Sequence, residues 1–442
     1  MLAFSGLKVN LEVTSFFGKR NRSLKTPPCS TGHILSWKDN CQINLCYSGV
    51  VVLKNRTLKF HSLTGRIDSK IMRKAFKSVK KNRGRAGIDN VSIDMFEANL
   101  DENLDALEKH LKKGTYTPLP NLRAYIIKNK KKKLRRPLGI PAVRDRVAQE
   151  VIRRIISPCF EPFFSIWSFG FRPYRNCHQA LRAIINFRKQ GFIHVLDADI
   201  KSFFDNIPHE LIMKLVAQKI ADGNILNIIH RFLKAGVVED GVFHKTTKGT
   251  PQGGVISPLL ANIVLDVLDR KLSLYGYTFV RYADDFLVLT KSAPELEKAR
   301  DLVQSVIRDE LGLELSDEKT SFTSFQKGFD YLGFRFSVRY ITIKPNSVEK
   351  LKDSIRGLTI RSHNFSDDLV KRINAVTNGY VNYFATDFSN VNYQFQCLDS
   401  FIRRRLRSMK TKRITQYNNR KIPNKFFQKH GLFALSSTIS YN

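Results

Sequence analysis

The stretch FVRYADDFLVL, residues 279–289, places two adjacent carboxylates, Asp284 and Asp285, between two blocks of mostly apolar residues. This pattern predicts a buried strand, a tight turn and a second buried strand, with the carboxylates at the turn. Like charges side by side repel each other, and removing each carboxylate from water costs free energy. Something else in the functional protein must therefore compensate them.

The rest of the chain is strongly basic. Its 442 residues include 74 Lys and Arg against 39 Asp and Glu, which gives a formal net charge of +35 at pH 7. An excess of this size is typical of proteins that bind a polyanion, and nucleic acid is the commonest one. We favour nucleic acid over a membrane because the sequence shows no long apolar span and no basic amphipathic anchor.

The cysteines and the N-terminal residues carry little information about function. Six cysteines are scattered without a C-x-x-C pair, which argues against a zinc site or a disulfide framework and fits a reducing compartment such as a bacterial cytoplasm. Residues 1–62 are compatible with an organellar transit peptide, an unstructured leader or a start codon placed too early. We leave this leader unassigned.

Helix-like and strand-like patterns alternate after the leader. Apolar residues at helical spacing predict helices near 67–79 and 100–111, and FIHVLDADI predicts a buried strand interrupted only by Asp197 and Asp199. The stretch KGTPQGGVISPLL predicts a glycine-rich turn that opens a helix. This alternation predicts an α+β or α/β core. Beyond Lys344, three helices are predicted at 348–358, 366–384 and 393–409.

Two basic runs are candidate RNA-binding surfaces. The run KNKKKKLRR lies between the apolar stretches AYII and PLGIP, which suggests a β-hairpin with a cationic tip. The second run is IRRRLR, within the last predicted helix. The alternative for each run is a solvated loop or helix face. The residues selected are Lys130, Lys131, Lys132, Arg403, Arg404 and Arg405.

Carboxylates on two different strands are what a divalent-metal site needs. Mg²⁺ takes oxygen ligands and is typically held by one or two carboxylates together with substrate phosphates. In two-metal phosphoryl transfer, one ion activates the attacking oxygen and the other stabilises the leaving oxygen. Asp199 on one strand and Asp284 at a hairpin tip could meet across a sheet and form such a site. The alternative is that Asp284 and Asp285 only make a turn, where Asp is common.

Several stretches together resemble one protein family. FVRYADDFLVL is similar to the Y-x-D-D motif of reverse transcriptases, and HVLDADIKSFFDNI is similar to the strand that carries their other metal-binding Asp. NRGRAGID, RRPLGIPAVRDRVAQ, FGFRPYRNCHQAL, KGTPQGGVISPLLANIVLDVLD, LSDEKTSF and YLGFRF follow the order found in the reverse transcriptase/maturase proteins encoded by group II introns. The resemblance covers roughly residues 63–435.

The resemblance implies an α+β fold of the right-hand polymerase type, with fingers, a palm with an antiparallel sheet and a helical thumb, followed by a basic helical maturase region. We expect fingers and palm at residues 63–338 and the thumb with the maturase region at residues 339–442. The sequence departs from the family at FGFRPYRN, where Phe169, Tyr174 and Asn176 occupy positions usually filled differently.

The resemblance also implies the catalytic set. The implied metal-binding residues are Asp199, Ile200 and Asp284, and Asp285 is the third catalytic carboxylate beside Asp199 and Asp284. Two Mg²⁺ ions are implied as cofactors, for which Mn²⁺ could substitute. Of the other acids, Asp197 is expected to be only a neighbour and Asp205 a cap on the following turn.

Four further residues match family positions around the incoming nucleotide. The ring of Phe204 would fill the space that a ribose 2′-OH needs, which favours dNTPs over NTPs. Gln252 and the glycines of GTPQGG would let the backbone lie close to the primer–template and the nucleotide. Arg136 would neutralise the triphosphate through bidentate contact. Lys319 would protonate the pyrophosphate leaving group.

The implied function is RNA-directed DNA polymerase activity together with assistance to splicing and mobility of a group II intron. The expected partners are structured intron RNA as template, a DNA primer or target DNA, and dNTPs, with no membrane involved. Two alternatives stay open: a maturase that binds RNA with incidental polymerase activity, and a domesticated reverse transcriptase in phage defence or repair. The intact carboxylate set disfavours the first alternative.

Overall fold

A computed structural model of the protein describes residues 59–129, 134–251, 253–316, 318–413 and 418–438, together with two short strands near the N-terminus. The chain divides into two compact units, Met1–Arg56 and Thr57–Asn442. In the first unit, β1 (Ser36–Trp37) pairs antiparallel with β2 (Cys41–Gln42). Four residues selected from the sequence lie outside the described residues: Lys130, Lys131, Lys132 and Gln252. Of the leader, only the two short strands and residues 59–62 are described.

The second unit begins with helices and a long hairpin. These elements are α1 (Ser69–Lys81), α2 (Ile93–Ala98), α3 (Leu100–Lys113), β3 (Asn121–Asn129) and β4 (Leu134–Ile140). The Asp68 carboxylate caps α1 by accepting a hydrogen bond from the Ile71 N–H at 2.7 Å, and Gly114, at φ +69°, ends α3. β3 and β4 pair antiparallel, which confirms the hairpin predicted from AYII and PLGIP.

The middle of this unit alternates helices and strands. Its elements are α4 (Val143–Phe160), α5 (Cys177–Lys189), β5 (His194–Ala198), α6 (Phe203–Asn206), α7 (His209–Ala217), α8 (Gly223–Lys234), β6 (Val237–Glu239), β7 (Val242–His244), α9 (Ser257–Leu274), β8 (Thr278–Tyr282), β9 (Asp285–Thr290), α10 (Ala293–Ser305) and β10 (Ser321–Ser324). β6 and β7 complete a four-stranded sheet with the hairpin, in the order β4-β3-β6-β7.

The central sheet has the strand order β10-β5-β9-β8, and every neighbouring pair is antiparallel. Leu196 and Val288 pack with α4 and α9 in one hydrophobic cluster, whereas Val195 and Leu287 pack with α5 and the C-terminal helices in a second cluster. Successive residues of a strand point to opposite faces. A sheet covered on both faces therefore needs the nearly continuous apolar runs seen in these strands.

The C-terminal part adds a small antiparallel sheet of β11 (Phe329–Tyr331), β12 (Phe334–Phe336) and β13 (Ile341–Ile343). The helices that follow are α11 (Pro345–Leu358), α12 (Asp367–Phe384), α13 (Asn392–Thr411), α14 (Asn418–Lys421) and α15 (Asn424–Lys429). The first three confirm the helices predicted beyond Lys344, and the α+β class is confirmed with them. Within the described ranges, no helix combines the length and the apolar character needed to cross a membrane.

Candidate active site

The two adjacent carboxylates lie at the tip of the hairpin formed by β8 and β9. Tyr282 pairs with Asp285 at the end of the ladder, so Ala283 and Asp284 form a two-residue turn. Ala283 has a φ of +59°, and a positive φ at only the first turn residue is the pattern of a type II′ turn. Because a residue with a Cβ rarely adopts this conformation, contacts from the surroundings must hold Ala283 in it.

Asp199 lies at the same edge of the sheet as this turn. In the ladder between β5 and β9, Ala198 pairs with Phe286, so Asp199 and Asp285 are the next residues in register. Burial raises the pKa of Asp285 to about 6, and the negative charges of Asp284 and Asp199 add to this rise. Burial, and then the charge of Asp199, also raise the pKa of Asp284. The three carboxylates selected from the sequence thus form one electrostatically coupled group.

A fourth carboxylate, Asp197, belongs to the same group. It lies on β5, two residues before Asp199. Burial raises its pKa to about 6, and the nearby charges of Asp285 and Asp199 contribute to this rise. Asp197, expected to be only a neighbour, therefore belongs to the same group of carboxylates with raised pKa values.

Two basic side chains expected to contact phosphates lie close to these carboxylates. Lys319 forms an ion pair with Asp199. Against the dominant effect of burial, the positive charges of Arg136 and Lys319 lower the pKa of Asp284. The β3–β4 hairpin, which carries Arg136, therefore comes within electrostatic range of the carboxylates.

The donor atoms at this edge fit a hard divalent cation. Asp199 and Asp284 supply carboxylate oxygens, the ligand type that Mg²⁺ prefers. In the part of the chain that the structure describes, no group of three or more His, Cys, Asp or Glu side chains is arranged to hold a metal ion by itself. Oxygens from substrate phosphates would be needed to complete the coordination, as is usual for Mg²⁺.

The main chain at Ile200 offers a further oxygen. Ile200 and Leu315 form an isolated antiparallel bridge. The flanking hydrogen bonds are donated by the N–H groups of Lys201, at 2.9 Å, and Ser316, at 2.8 Å. Ile200 and Leu315 are thus a non-hydrogen-bonded pair, in which the carbonyl of each residue points away from its partner. The Ile200 carbonyl is therefore directed to the other side of β5, where β9 and the carboxylates lie.

Phe204 lies beside the glycine-rich loop. Its carbonyl accepts a hydrogen bond from the Thr250 N–H at 2.7 Å, and its ring packs edge-on against Phe203 with the centroids 5.4 Å apart. Gly249, at φ +84°, permits this approach, because a Cβ atom there would lie 2.7 Å from the Asp205 carbonyl oxygen. The half-buried Phe204 is thus next to the loop that carries Gln252.

The expected capping role of Asp205 is wrong. Asp205 lies inside α6, and the N-cap position of α7 is taken by Pro208, which has no side-chain acceptor. Burial raises the pKa of Asp205, and the charges of Arg123 and Arg136 act in the opposite direction. Asp205 therefore faces the basic hairpin, and Arg136 lies within range of both Asp205 and Asp284.

Comparison with known proteins identifies the family. The family described as "Reverse transcriptase (RNA-dependent DNA polymerase)" matches residues 127–336, and "Group II intron, maturase-specific domain" matches residues 348–427. Protein YkfC of Escherichia coli (strain K12) is 34% identical over 287 residues, which cover 56% of this chain and 75% of YkfC. The chain belongs to the group II intron reverse transcriptase/maturase family. It carries the RNA-directed DNA polymerase domain, which depends on a divalent metal and uses an RNA template.

Two further matches are more partial. Group II intron-encoded protein LtrA of Lactococcus lactis subsp. cremoris is 33% identical over 329 residues, which cover 60% of this chain and 54% of LtrA. The chain thus spans about half the length of this relative. Among solved structures, a chain of the "Partial Cas6-RT-Cas1--Cas2 complex" matches with 24% identity and a TM-score of 0.36, over 56% of this chain and 42% of its own length. A TM-score of this size does not establish a shared overall arrangement.

The reverse transcriptase domain has a buried support for its hairpin that sequence reasoning missed. Arg281, in β8, is fully buried and donates to both carboxylate oxygens of Asp269, at 2.8 and 2.6 Å. It also donates to the side-chain oxygen of Asn262 and to the carbonyl of Ala283, both at 2.9 Å. Arg281 thus holds the strained turn residue. The signal in the sequence is an Arg within the apolar strand FVRY and an Asp within the apolar helix VLDVLDR.

Two further contacts support the same turn of the reverse transcriptase domain. Gly170 lies against it so closely that a Cβ atom there would be 2.3 Å from the Ala283 nitrogen. Tyr331, from the small sheet, donates its hydroxyl to the Asp285 carbonyl at 3.1 Å. The backbone of the carboxylate turn is therefore held by residues distant from it in sequence.

In the maturase-specific domain, the selected arginines differ in how they are anchored. Arg405 donates to the hydroxyl of Thr359 at 3.0 Å and to its carbonyl at 2.6 Å, which ties α13 to the end of α11. Arg403 donates to the Ser400 hydroxyl at 3.3 Å. Arg404 is exposed, with its guanidinium 6.0 Å from the ring centroid of Phe401. Of the three, Arg404 is the most accessible to an RNA phosphate.

Proposed function

We propose that this chain is a reverse transcriptase that extends a DNA primer along an RNA template by two-metal phosphoryl transfer, and that it assists splicing and mobility of a group II intron. The observation that carries the proposal is the convergence of Asp199 with Asp284 and Asp285 at one edge of an antiparallel sheet. We assign fingers and palm to residues 63–338 and the thumb with the maturase region to residues 339–442. The family matches at 127–336 and 348–427 support this division.

In the proposed reaction, the primer 3′ oxygen forms a bond to the α-phosphorus of the dNTP, and the bond from that phosphorus to the pyrophosphate oxygen breaks. Asp199, the Ile200 carbonyl and Asp284 would hold two Mg²⁺ ions, for which Mn²⁺ could substitute. When bound, these ions supply positive charge to the attacking and leaving oxygens. The raised pKa values of Asp284 and Asp285 support a cation site, because a bound cation relieves the repulsion that contributes to them.

Three other residues would act on the nucleotide directly. Arg136 would pair with the triphosphate, since a guanidinium can donate two parallel hydrogen bonds to phosphate. Lys319 is paired with Asp199 in this structure. It would release this carboxylate and donate a proton to the departing pyrophosphate. The ring of Phe204 would occupy the space of a ribose 2′-OH, beside the loop that carries Gln252.

Primer extension on an RNA template with Mg²⁺ and dNTPs tests the carboxylate assignment. Asp284→Asn keeps the size of the side chain and removes its charge, so we expect DNA synthesis to be lost while RNA affinity changes little. Asp309→Asn is the matched control, because Asp309 is an exposed Asp that pairs only with the adjacent Arg308 in the described contacts. Full synthesis by Asp284→Asn would remove the proposed metal site.

Nucleotide discrimination tests the position of Phe204. Phe204→Ala should open space for the 2′-OH and reduce the preference for dNTPs over NTPs by about 10- to 200-fold, the range for a difference of one methylene in an apolar pocket. Phe322→Ala, which removes a partly exposed ring on β10, should leave the preference unchanged. The measurement is kcat/KM for a dNTP and its NTP. An unaltered ratio in Phe204→Ala would exclude the gating role.

The proposed RNA partner is structured group II intron RNA, and the DNA partner is a primer or target DNA. The match of residues 348–427 to the maturase-specific domain supports the RNA partner. We place the protein with its RNA in a reducing, bacterial-type cytoplasm. A domesticated reverse transcriptase of phage defence or repair is the alternative. Intron RNA secondary structure on both sides of the reading frame would favour the intron-borne protein, and its absence the domesticated one.

A further inference from the structure

A basic cleft lies between α1, α4 and the first turns of α9. Its volume is about 380 Å³, and its charged lining residues are Lys81, Glu150, Arg153, Arg154, Glu161 and Arg172. Both acids are already paired within the protein, Glu150 with the two arginines of α4 and Glu161 with Arg172. The basic side chains of this lining outnumber the acidic ones, so the cleft has a net positive charge that favours an anionic ligand.

An exposed aromatic side chain lines the same cleft. Phe171 has 59% of its surface exposed, and Tyr174, three residues further along the loop, has 98% exposed. Both have a positive φ, +57° and +60°, which large side chains rarely adopt.

The loop that carries Phe171 is fixed on both sides. Before it, the Gly170 carbonyl accepts a hydrogen bond from the Asn262 side chain at 2.9 Å. After it, the buried Arg172 guanidinium donates to Glu161 at 2.8 Å and to the Ser168 carbonyl at 2.7 Å. The ring is thus held in solvent by an anchored backbone. A ring presented in this way loses little conformational entropy when a ligand stacks on it.

The same loop is fixed relative to the catalytic hairpin. Gly170 lies against the Ala283 nitrogen, and the Phe169 N–H donates to the Arg281 carbonyl at 2.8 Å. α9, whose first turns line the cleft, begins directly after the glycine-rich loop. The cleft is therefore adjacent to the proposed centre of nucleotide addition and at a fixed position relative to it.

We propose that this cleft binds the single-stranded RNA template ahead of the nucleotide-addition centre, with Phe171 stacking on a base and Lys81 contacting a phosphate. Tyr174 provides a second stacking surface on the same loop. Proteins bind single-stranded nucleic acid without reading its sequence by combining a positive groove with aromatic platforms, and the described loop and cleft supply both. The inference rests on the proposed function, since it names how that site would receive its template.

A fluorescent base in the template tests the stacking. 2-Aminopurine is placed at successive positions of a long single-stranded 5′ RNA overhang on a primer–template duplex, because stacking quenches its fluorescence. The wild type and Phe171→Tyr should quench one overhang position, and Phe171→Gly should not. Glycine accepts the positive φ of this position, so the loss would reflect the missing ring. Affinity for the overhang substrate should fall about 5- to 150-fold, the range for one stacked base, and affinity for a blunt duplex should fall less.

Two variants complete the experiment. Tyr275→Ala removes a comparably exposed ring, 63% exposed, at the other end of α9, and it should bind and quench like the wild type. Tyr174→Ser should weaken quenching at a second overhang position. Wild-type quenching and affinity in both Phe171→Gly and Tyr174→Ser would overturn the inference. Failure of the wild type to synthesise DNA on any RNA template would instead overturn the proposed function, so the two failures are distinguishable.

Discussion

The β8–β9 hairpin contains two groups of charge that the protein treats in opposite ways. Arg281 and Asp269 have no exposed surface and form a two-point ion pair. The remaining hydrogen bonds of Arg281 go to Asn262 and to the Ala283 carbonyl. Each charge in this pair has its partner within the chain, so the pair belongs to the fold.

The carboxylates a few residues further along the hairpin lack such partners. Asp285 lies among like charges, and burial together with Asp284 and Asp199 raises its pKa to about 6. Strongly shifted carboxylates in a group are typical of functional sites, where a ligand supplies the missing charge. The comparison teaches that charge paired inside the chain stabilises the turn, whereas the charge at its tip costs stability until a cation binds.

Breaking the internal pair should have the largest effect on stability. Arg281→Met leaves Asp269 buried without a counter-charge and removes the bond to the Ala283 carbonyl, so we expect a loss of about 3–5 kcal/mol in the free energy of unfolding. The measurement is the urea midpoint of the full chain. Asp284→Asn, which removes one like charge from the carboxylate group, should leave that midpoint unchanged or raise it.

The double variant Arg281→Met with Asp269→Leu is the control for this prediction. Replacing both charges by apolar groups removes the unpaired buried carboxylate, so it should recover most of the lost stability. If the double variant is as unstable as Arg281→Met, the bond to the turn, and not the ion pair, is the main contribution of Arg281.

The contrast between these groups also shows what the sequence could and could not predict. The hairpin and the partnership of Asp199 with Asp284 follow from local apolar patterns, a turn, and the motif resemblance. The sequence shows Arg281 and Asp269 as charged residues within apolar stretches. It does not predict that they pair, because one lies on β8 and the other on α9. The exposure of Phe171 could not be predicted, because its backbone is held by contacts that local sequence does not reveal, from Asn262 to the Gly170 carbonyl and from Arg172 to Glu161.

The wrong prediction for Asp205 has a similar cause. An Asp shortly before a helical pattern is a reasonable N-cap, but the position that precedes α7 belongs to Pro208. Asp205 instead lies within a separate short helix, α6, which ends two residues before Pro208. Whether Asp205 caps α7 or lies in a separate helical turn depends on contacts with the glycine-rich loop, such as the hydrogen bond between Phe204 and Thr250. The local sequence does not reveal these contacts.

The pH dependence of stability should reveal the cost of the carboxylate group. Asp197 and Asp285 have pKa values of about 6 in the folded protein, against an ordinary value of 3.8. The folded state therefore binds protons more tightly than the unfolded chain. The penalty is fully present above about pH 6 and disappears as the pH falls toward about 4. Without divalent metal, we expect about 1 kcal/mol more stability near pH 5 than near pH 7.5. This value is reduced for solvent screening, because the Asp285 side chain keeps some contact with solvent in spite of the burial that raises its pKa.

Two additions isolate this effect from other titrating groups. The double variant Asp197→Asn with Asp285→Asn should flatten the urea midpoint between these pH values, because it removes the two shifted carboxylates. Saturating Mg²⁺ should raise the midpoint of the wild type more at the higher pH, where the carboxylates are ionised. An identical pH profile in the wild type and the double variant would show that the carboxylate group carries no such cost.

The smallest effect on stability is expected at Arg404 on α13, where comparison with the neighbouring Arg405 repeats the same contrast. Arg404 is exposed, so Arg404→Ala should remove about one phosphate contact and reduce the slope of log affinity against log salt by about 1, without a change in melting temperature. Arg405 is bonded to Thr359, so Arg405→Ala should lower stability by about 1–2 kcal/mol and change the slope little. RNA binding measured at several salt concentrations, with thermal melts of the same preparations, separates these outcomes. An equal loss of slope in both variants would mean that Arg405 leaves Thr359 to contact RNA. The hydrogen bonds of an arginine in the free protein would then not distinguish structural from RNA-binding arginines.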